Sequence, residues 1–133
     1  MKLQPWRAGL ASMLVAIPAC SADSTGGGAC TAMFAIVPVA VVDGAGQPVE
    51  GAEVSAVLVR TGQTLVPTNL ALFAPGTYPL VDDGSTAVLR RSGDDVTATI
   101  TKGAQSMTVD YVFSVADGCH VSKVSGPDTV TLE

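Results

Sequence analysis

Residues that turn a chain recur at short intervals along most of this sequence, and they constrain the fold more than any other feature. Asp43-Gly44, Thr61-Gly62, Pro75-Gly76, Asp83-Gly84, Ser92-Gly93, Lys102-Gly103, Asp117-Gly118 and Gly126-Pro127 follow one another from the first third to the end. Glycine takes up positive φ at no steric cost, aspartate bonds to nearby backbone, and proline sets φ in advance. Stretches between such signals are too short for stable helices and the right length for strands. Residues 77–81, 86–91, 96–101, 107–115, 121–124 and 129–132 read as strands on this basis, as do residues 52–60.

Side-chain character supports that reading. Residues 96–101 and 107–113 alternate along their length and are joined by a few residues, which predicts a hairpin. Residues 31–42 form a long apolar run rich in valine. Pro38 within it argues against helix and predicts an edge position, a bulge or a break. Residues 65–73 are less determined and are compatible with a short strand and loop or with one helical turn. Only 14% of the residues are charged, so the many valines need a core. The expected fold class is all-β: one antiparallel β-sandwich of about seven to eight strands, spanning residues 30–133.

The first 29 residues have a different character. Lys2 and Arg7 precede an apolar run at residues 8–17, which matches a secretion signal and is too short to span a bilayer. Ile17-Pro18-Ala19-Cys20 resembles a bacterial lipobox, which makes residues 1–19 the leader and Cys20 a lipidated mature N-terminus. Ordinary cleavage after Ala22 is the alternative. Residues 21–29 contain three consecutive glycines and no apolar side chain larger than alanine. They read as a flexible tether of roughly 15 to 20 Å r.m.s. reach.

Cysteine arithmetic bears on the same question. Three cysteines, at 20, 30 and 119, leave one over in an oxidising compartment. Lipid on Cys20 leaves Cys30 and Cys119 to pair as a disulfide. Such a bond closes a loop worth about 4 to 5 kcal/mol in the chain-entropy model. Loss of Lys2 and Arg7 leaves five of the seven basic residues against twelve acidic ones, a charge of about −7 rather than −5. Nucleic acid and anionic headgroups are therefore poor partners. The expected location is the cell envelope, with the membrane reached through Cys20 and an envelope protein as partner. Ser21 in place of aspartate after Cys20 resembles an outer-membrane retention signal.

Residues 39–54 carry a family resemblance. Asp43-x-x-Gly46-x-Pro48-Val49-x-Gly51-Ala52-x-Val54 resembles the signature of carboxypeptidase regulatory-like, prealbumin-like (transthyretin-like) β-sandwich domains, where it links the first two strands. Leu72-Phe73-Ala74-Pro75-Gly76-Thr77-Tyr78 is similar to a later segment of that family. Asp117-Gly118-Cys119-His120-Val121 followed by Thr129-Val130-Thr131-Leu132 is similar to its last hairpin in bacterial lipoproteins. The resemblance implies an Ig-like, prealbumin-like sandwich whose Gly46, Pro48 and Gly51-Ala52 serve a turn, a rigid crossing and a close approach to the sheet. The related hydrolases of purine breakdown use several histidines and end Tyr-Arg-Gly-Ser. This chain has one histidine and ends Thr-Val-Thr-Leu-Glu, so that activity is not expected.

Candidate chemistry is sparse. His120 is the only side chain with an unperturbed pKa near neutrality, and a catalytic role needs a nucleophile or carboxylate beside it. Ser122 is close in sequence, but a structural or solvent-facing His120 is the simpler expectation. Asp82-Asp83-Gly84 and Asp94-Asp95 offer carboxylates to calcium, yet neither lies in a spaced acidic loop, and solvated turns are the simpler reading. Two isolated cysteines and one histidine do not make a zinc site. Arg90-Arg91 reads as a strand end. No phosphate-binding glycine loop and no GxSxG elbow occurs. The expectation is a non-catalytic module without cofactor or metal, either binding or structural in its own right or accessory to a separate envelope enzyme or transporter.

Overall fold

Burial alternates residue by residue along the central strands, and that alternation defines the architecture. The computed structural model describes residues 29–69 and 73–133. The expected leader, Cys20, residues 21–28 of the tether and positions 70–72 lie outside the described residues. Eight strands are described: β1 (Ile36–Val42), β2 (Glu53–Leu58), β3 (Gln63–Leu65), β4 (Thr77–Asp82), β5 (Asp94–Lys102), β6 (Gln105–Ser114), β7 (Ser122–Ser125) and β8 (Thr129–Thr131). Asp83–Ser85 form a single 3-10 turn. In β5, Asp94, Val96, Ala98 and Ile100 are buried, while Asp95 is exposed and Thr97 and Thr99 are half-buried. The period of two matches one face on the core and one toward solvent.

The strands form two sheets, one of three in the order β4-β1-β8 and one of five in the order β3-β2-β5-β6-β7. Val39, Val41, Leu80, Val130 and Leu132 from the first side meet Leu58, Val96, Ile100, Tyr111 and Phe113 from the second. Tyr111 and Phe113 stack with ring centroids 5.6 Å apart. The protein is an all-β sandwich. β5 and β6 form the expected hairpin, in register through nine pairs from Asp94↔Phe113 to Lys102↔Gln105.

Residues 39–54 adopt the expected strand, turn and crossing. Asp43 Oδ1 accepts hydrogen bonds from the amides of Ala45 and Gln47, both at 2.9 Å, and Gly46 sits at φ +77. The chain comes close to its surroundings at Gly51, where a Cβ would lie 2.9 Å from Lys102 Nζ, and more tightly at Gly76. A Cβ on Gly76 would lie 2.7 Å from Pro48 Cβ, at a backbone φ of +74. The Tyr78 hydroxyl then donates to the Val49 carbonyl at 2.5 Å and accepts from the Ala52 amide at 2.9 Å. Two of the three segments that carry the family resemblance therefore touch.

Three expectations are corrected. Residues 86–91 are not a strand: Ser85 O accepts from the amides of Val88 and Leu89, and Thr86 bonds back to Asp83 O, so the backbone closes on itself in turns. Residues 117–132 do not form a hairpin. β7 pairs antiparallel with β6 in one sheet, and β8 pairs parallel with β1 in the other. Gly126 at φ +117 makes the passage between sheets, over the Tyr111 ring where a Cβ would come within 2.1 Å. The sandwich is thus antiparallel in all but this β1–β8 ladder. Within residues 65–73, the described part follows the strand-and-loop alternative: Leu65 ends the short edge strand Gln63–Leu65 on β2, and 66–69 carry no regular structure. Pro38 marks a register shift opposite Pro79, the bulge that proline favours.

Candidate functional site

Strand directions give the sandwich two ends. Ile36 of β1 pairs with Asp82 of β4, so β1 starts where β4 finishes. β2 and β6 finish and β5 starts at the same end, where the chain arrives from Cys30. This tether end gathers most of the polar side chains that the sequence singled out.

Cys30 and Cys119 form a disulfide there, with Cα atoms 5.3 Å apart, across 89 residues. Next to it, three side chains lie in a line. The Thr31 hydroxyl is 2.9 Å from His120 Nε2, and His120 Nδ1 is 2.7 Å from Asp83 Oδ2. A neutral imidazole with its hydrogen on Nδ1 donates to Asp83 and accepts the Thr31 hydroxyl at Nε2. Asp83 also accepts the amides of Ala35 and Val121, each at 2.8 Å. It therefore joins the incoming segment, the 3-10 turn and the start of β7. Burial pushes the Asp83 carboxyl up, but the hydrogen bonds from Ala35, His120 and Val121 outweigh it and hold it below the usual carboxylate range.

A hydroxyl, an imidazole and a carboxylate in this order is the arrangement of nucleophilic acyl transfer. That chemistry also requires free amide donors aimed at a developing oxyanion. Here four nearby amides are committed. Those of Ala35 and Val121 go to Asp83, and those of Cys119 and His120 go to Asp117 Oδ1 at 2.8 and 2.9 Å. The His120 and Cys119 amides in turn hold the Asp117 carboxyl below its ordinary value. An open hollow of about 150 Å³ adjoins the group, lined by Ala29, Cys30, Thr31, Asp117, Cys119 and His120. In this conformation the cluster fastens chain segments together.

The other singled-out residues lie nearby with partners of their own. Asp82 is fully buried, and its carboxylate accepts the amides of Thr68, Asn69 and Gly84 and the Thr68 hydroxyl. Asp94 is held below the carboxylate range chiefly by Arg60, whose guanidinium donates through Nε and Nη2 at 2.9 and 3.2 Å. The Arg90 amide adds a third donor to Asp94 at 2.8 Å. These carboxylates brace loops, which suits amide donors better than a cation. Arg91 lies over Gly118, where a Cβ would meet its Nη2 at 2.3 Å. Ser122 faces Ser114, with hydroxyls 3.2 Å apart, and has no bond to His120.

Sequence reasoning found His120 and both cysteines but missed Thr31 and Asp117 and assigned Asp83 to a solvated turn. Asp117-Gly118 was legible as a turn, and an aspartate there capping the next two amides follows from ordinary turn chemistry. The Thr31–His120–Asp83 line joins residues far apart in the chain and had no local signal. No family model, curated protein or solved structure matches the chain.

Proposed function

We propose that this chain is an exported envelope lipoprotein, lipidated at Cys20, that displays one carboxypeptidase regulatory-like β-sandwich as a non-catalytic binding or structural module. The observation that carries this reading is the fastening at the tether end. Cys30 is bonded to Cys119, and within five residues the chain is tied again through Thr31 to His120 and through the Ala35 amide to Asp83. A domain held from its N-terminal side needs the segment leading into β1 fastened to the body, so that a pull from that side does not peel β1 out of its sheet. The disulfide also accords with an oxidising compartment. The commitment of four nearby amides to Asp83 and Asp117 favours this role for His120 over catalysis.

Intact mass of the protein extracted from membranes tests the anchor. A diacyl or triacyl Cys20 is expected, and an unmodified N-terminus at Asp23 rejects it. Capture from envelope fractions tests the module's role. Recovery of one stable complex with an enzyme or transporter would replace the independent module by an accessory domain.

A further inference from the structure

Large apolar side chains exposed among the described residues are Met33, Phe34, Val59, Val66 and Val124. Met33 and Phe34 alone are neighbours, and they stand between the disulfide at Cys30 and the first pair of β1 at Ile36. Met33 is 79% exposed and Phe34 46%, although Ala35 beside them is hydrogen-bonded into the sandwich. With Thr31, Ala35 and His120 they wall a mostly apolar hollow of about 250 Å³. Val59, 57% exposed, follows the end of β2 and is therefore at the same end.

We infer that Met33 and Phe34 enter the interfacial layer of the bilayer that holds Cys20, setting the sandwich upright with its tether end down. The inference rests on the lipoprotein reading above and adds the contact surface and its partner. Length supplies the first argument. The tether expected from the sequence of residues 21–29 would reach only roughly 15 to 20 Å. Its far end is pinned at Cys30 to Cys119, so this end of the sandwich is the one kept near the membrane. Chemistry supplies the second. Membrane attachment by acyl chains is strengthened by any further apolar area that reaches the headgroup boundary, and phenylalanine is suited to that depth. Charge supplies the third. At about −7 the mature chain as a whole is not drawn to anionic headgroups, and at this end Arg60 and Arg90 are paired with Asp94, so the attraction supplied by Met33 and Phe34 is apolar and insensitive to salt.

The test uses the full chain, expressed in a bacterium, extracted with its lipid and reconstituted into phosphatidylcholine vesicles with or without brominated acyl chains. Phe34→Trp makes position 34 the sole indole of the mature protein, because Trp6 lies in the expected leader. Its emission should move to shorter wavelength on vesicles and lose more than half its intensity to the brominated lipid, equally at low and high salt. Ala104→Trp, in the exposed β5–β6 turn at the opposite end, should be unquenched. Met33→Trp repeats the measurement at the more exposed position if Phe34→Trp disturbs the hollow. An indole at 34 and 33 that stays unquenched in protein bearing lipid on Cys20 overturns the inference. That holds both when acrylamide reaches the indole and when residues 21–28 or a second copy shield it. An intact mass without lipid overturns the lipoprotein reading and this inference with it.

Discussion

The two ends of the sandwich are closed by different means. At the far end, the turn after β1 is held by backbone geometry: Asp43 caps Ala45 and Gln47, Gly46 and Gly76 take positive φ, and Pro48 rests on Gly76. Tyr78 staples it to Val49 and Ala52, and the Lys102 ammonium donates to the Glu50 carbonyl. At the tether end, closure comes from side chains that meet across long stretches of chain: Cys30 with Cys119, Thr31 with His120, His120 with Asp83, and Arg60 with Asp94. The far end is thus organised around one locally capped turn, to which Tyr78, Gly76 and Lys102 add longer contacts, whereas the tether end is closed by pairings that exist only once the fold is complete. Damage should therefore spread differently. A fault at the far end distorts a turn, whereas a fault at the tether end releases the segment that leads into β1.

The largest expected effect is loss of the disulfide. Replacing both cysteines, Cys30→Ser with Cys119→Ser, should lower stability by about 3 to 4 kcal/mol in urea unfolding, with the loss reaching β1 amides first in hydrogen exchange. Uniform loss of protection at both ends would erase the contrast drawn here. Next comes Gly76→Ala, which meets both an unfavourable φ and the Pro48 ring, and should cost about 2 to 3 kcal/mol. Gly103→Ala has a similar φ of +58 but nothing within 4 Å, so about 1 kcal/mol is expected from the backbone alone. Equal costs at the two glycines would show that the Pro48 contact does not close the far end.

Acid provides the mildest probe. Asp83 and Asp94 are held below the usual carboxylate range in the folded protein, by the amides and His120 in one case and chiefly by Arg60 in the other. A carboxyl that binds its proton less tightly when folded adds stability that is complete above its unfolded value near about 3.9 and is lost as pH falls through the folded value. Corrected for intrinsic exchange, the amides of Ala35, Val121 and Arg90 should therefore keep their protection at about pH 4 and lose it only as pH falls further, through the lowered folded values of Asp83 and Asp94. Protection lost at these three amides already above about pH 4 would show that the carboxylates do not close this end.

Legibility in the sequence follows the same division. The turn at 43–47 and the β5–β6 hairpin were readable because each depends on residues within a few positions of one another. The sandwich followed from turn spacing and alternation. Residues 86–91 misled because Thr86, Val88 and Leu89 favour strands. Their backbone is instead closed in turns by Asp83 O and Ser85 O, and Leu89 is buried. β8 misled because a strand near β7 in sequence pairs by default with its neighbour, and only Gly126 over the Tyr111 ring marks the change of sheet. At the tether end, Asp83 carried no sign that His120 would lie beside it, since the two are 37 residues apart. The disulfide was legible for another reason: it came from counting thiols, which needs no geometry.

The parallel ladder between β1 and β8 has a consequence in time. Ala40 lies opposite Thr129, so one flank of an early strand waits for residues made far later in the chain. Until then Val39 and Val41 lack the cover of Val130 and Leu132. Contacts of such separation form slowly. The smaller sheet is therefore the late part of assembly, and every step that precedes its closure handles a sandwich open on one side.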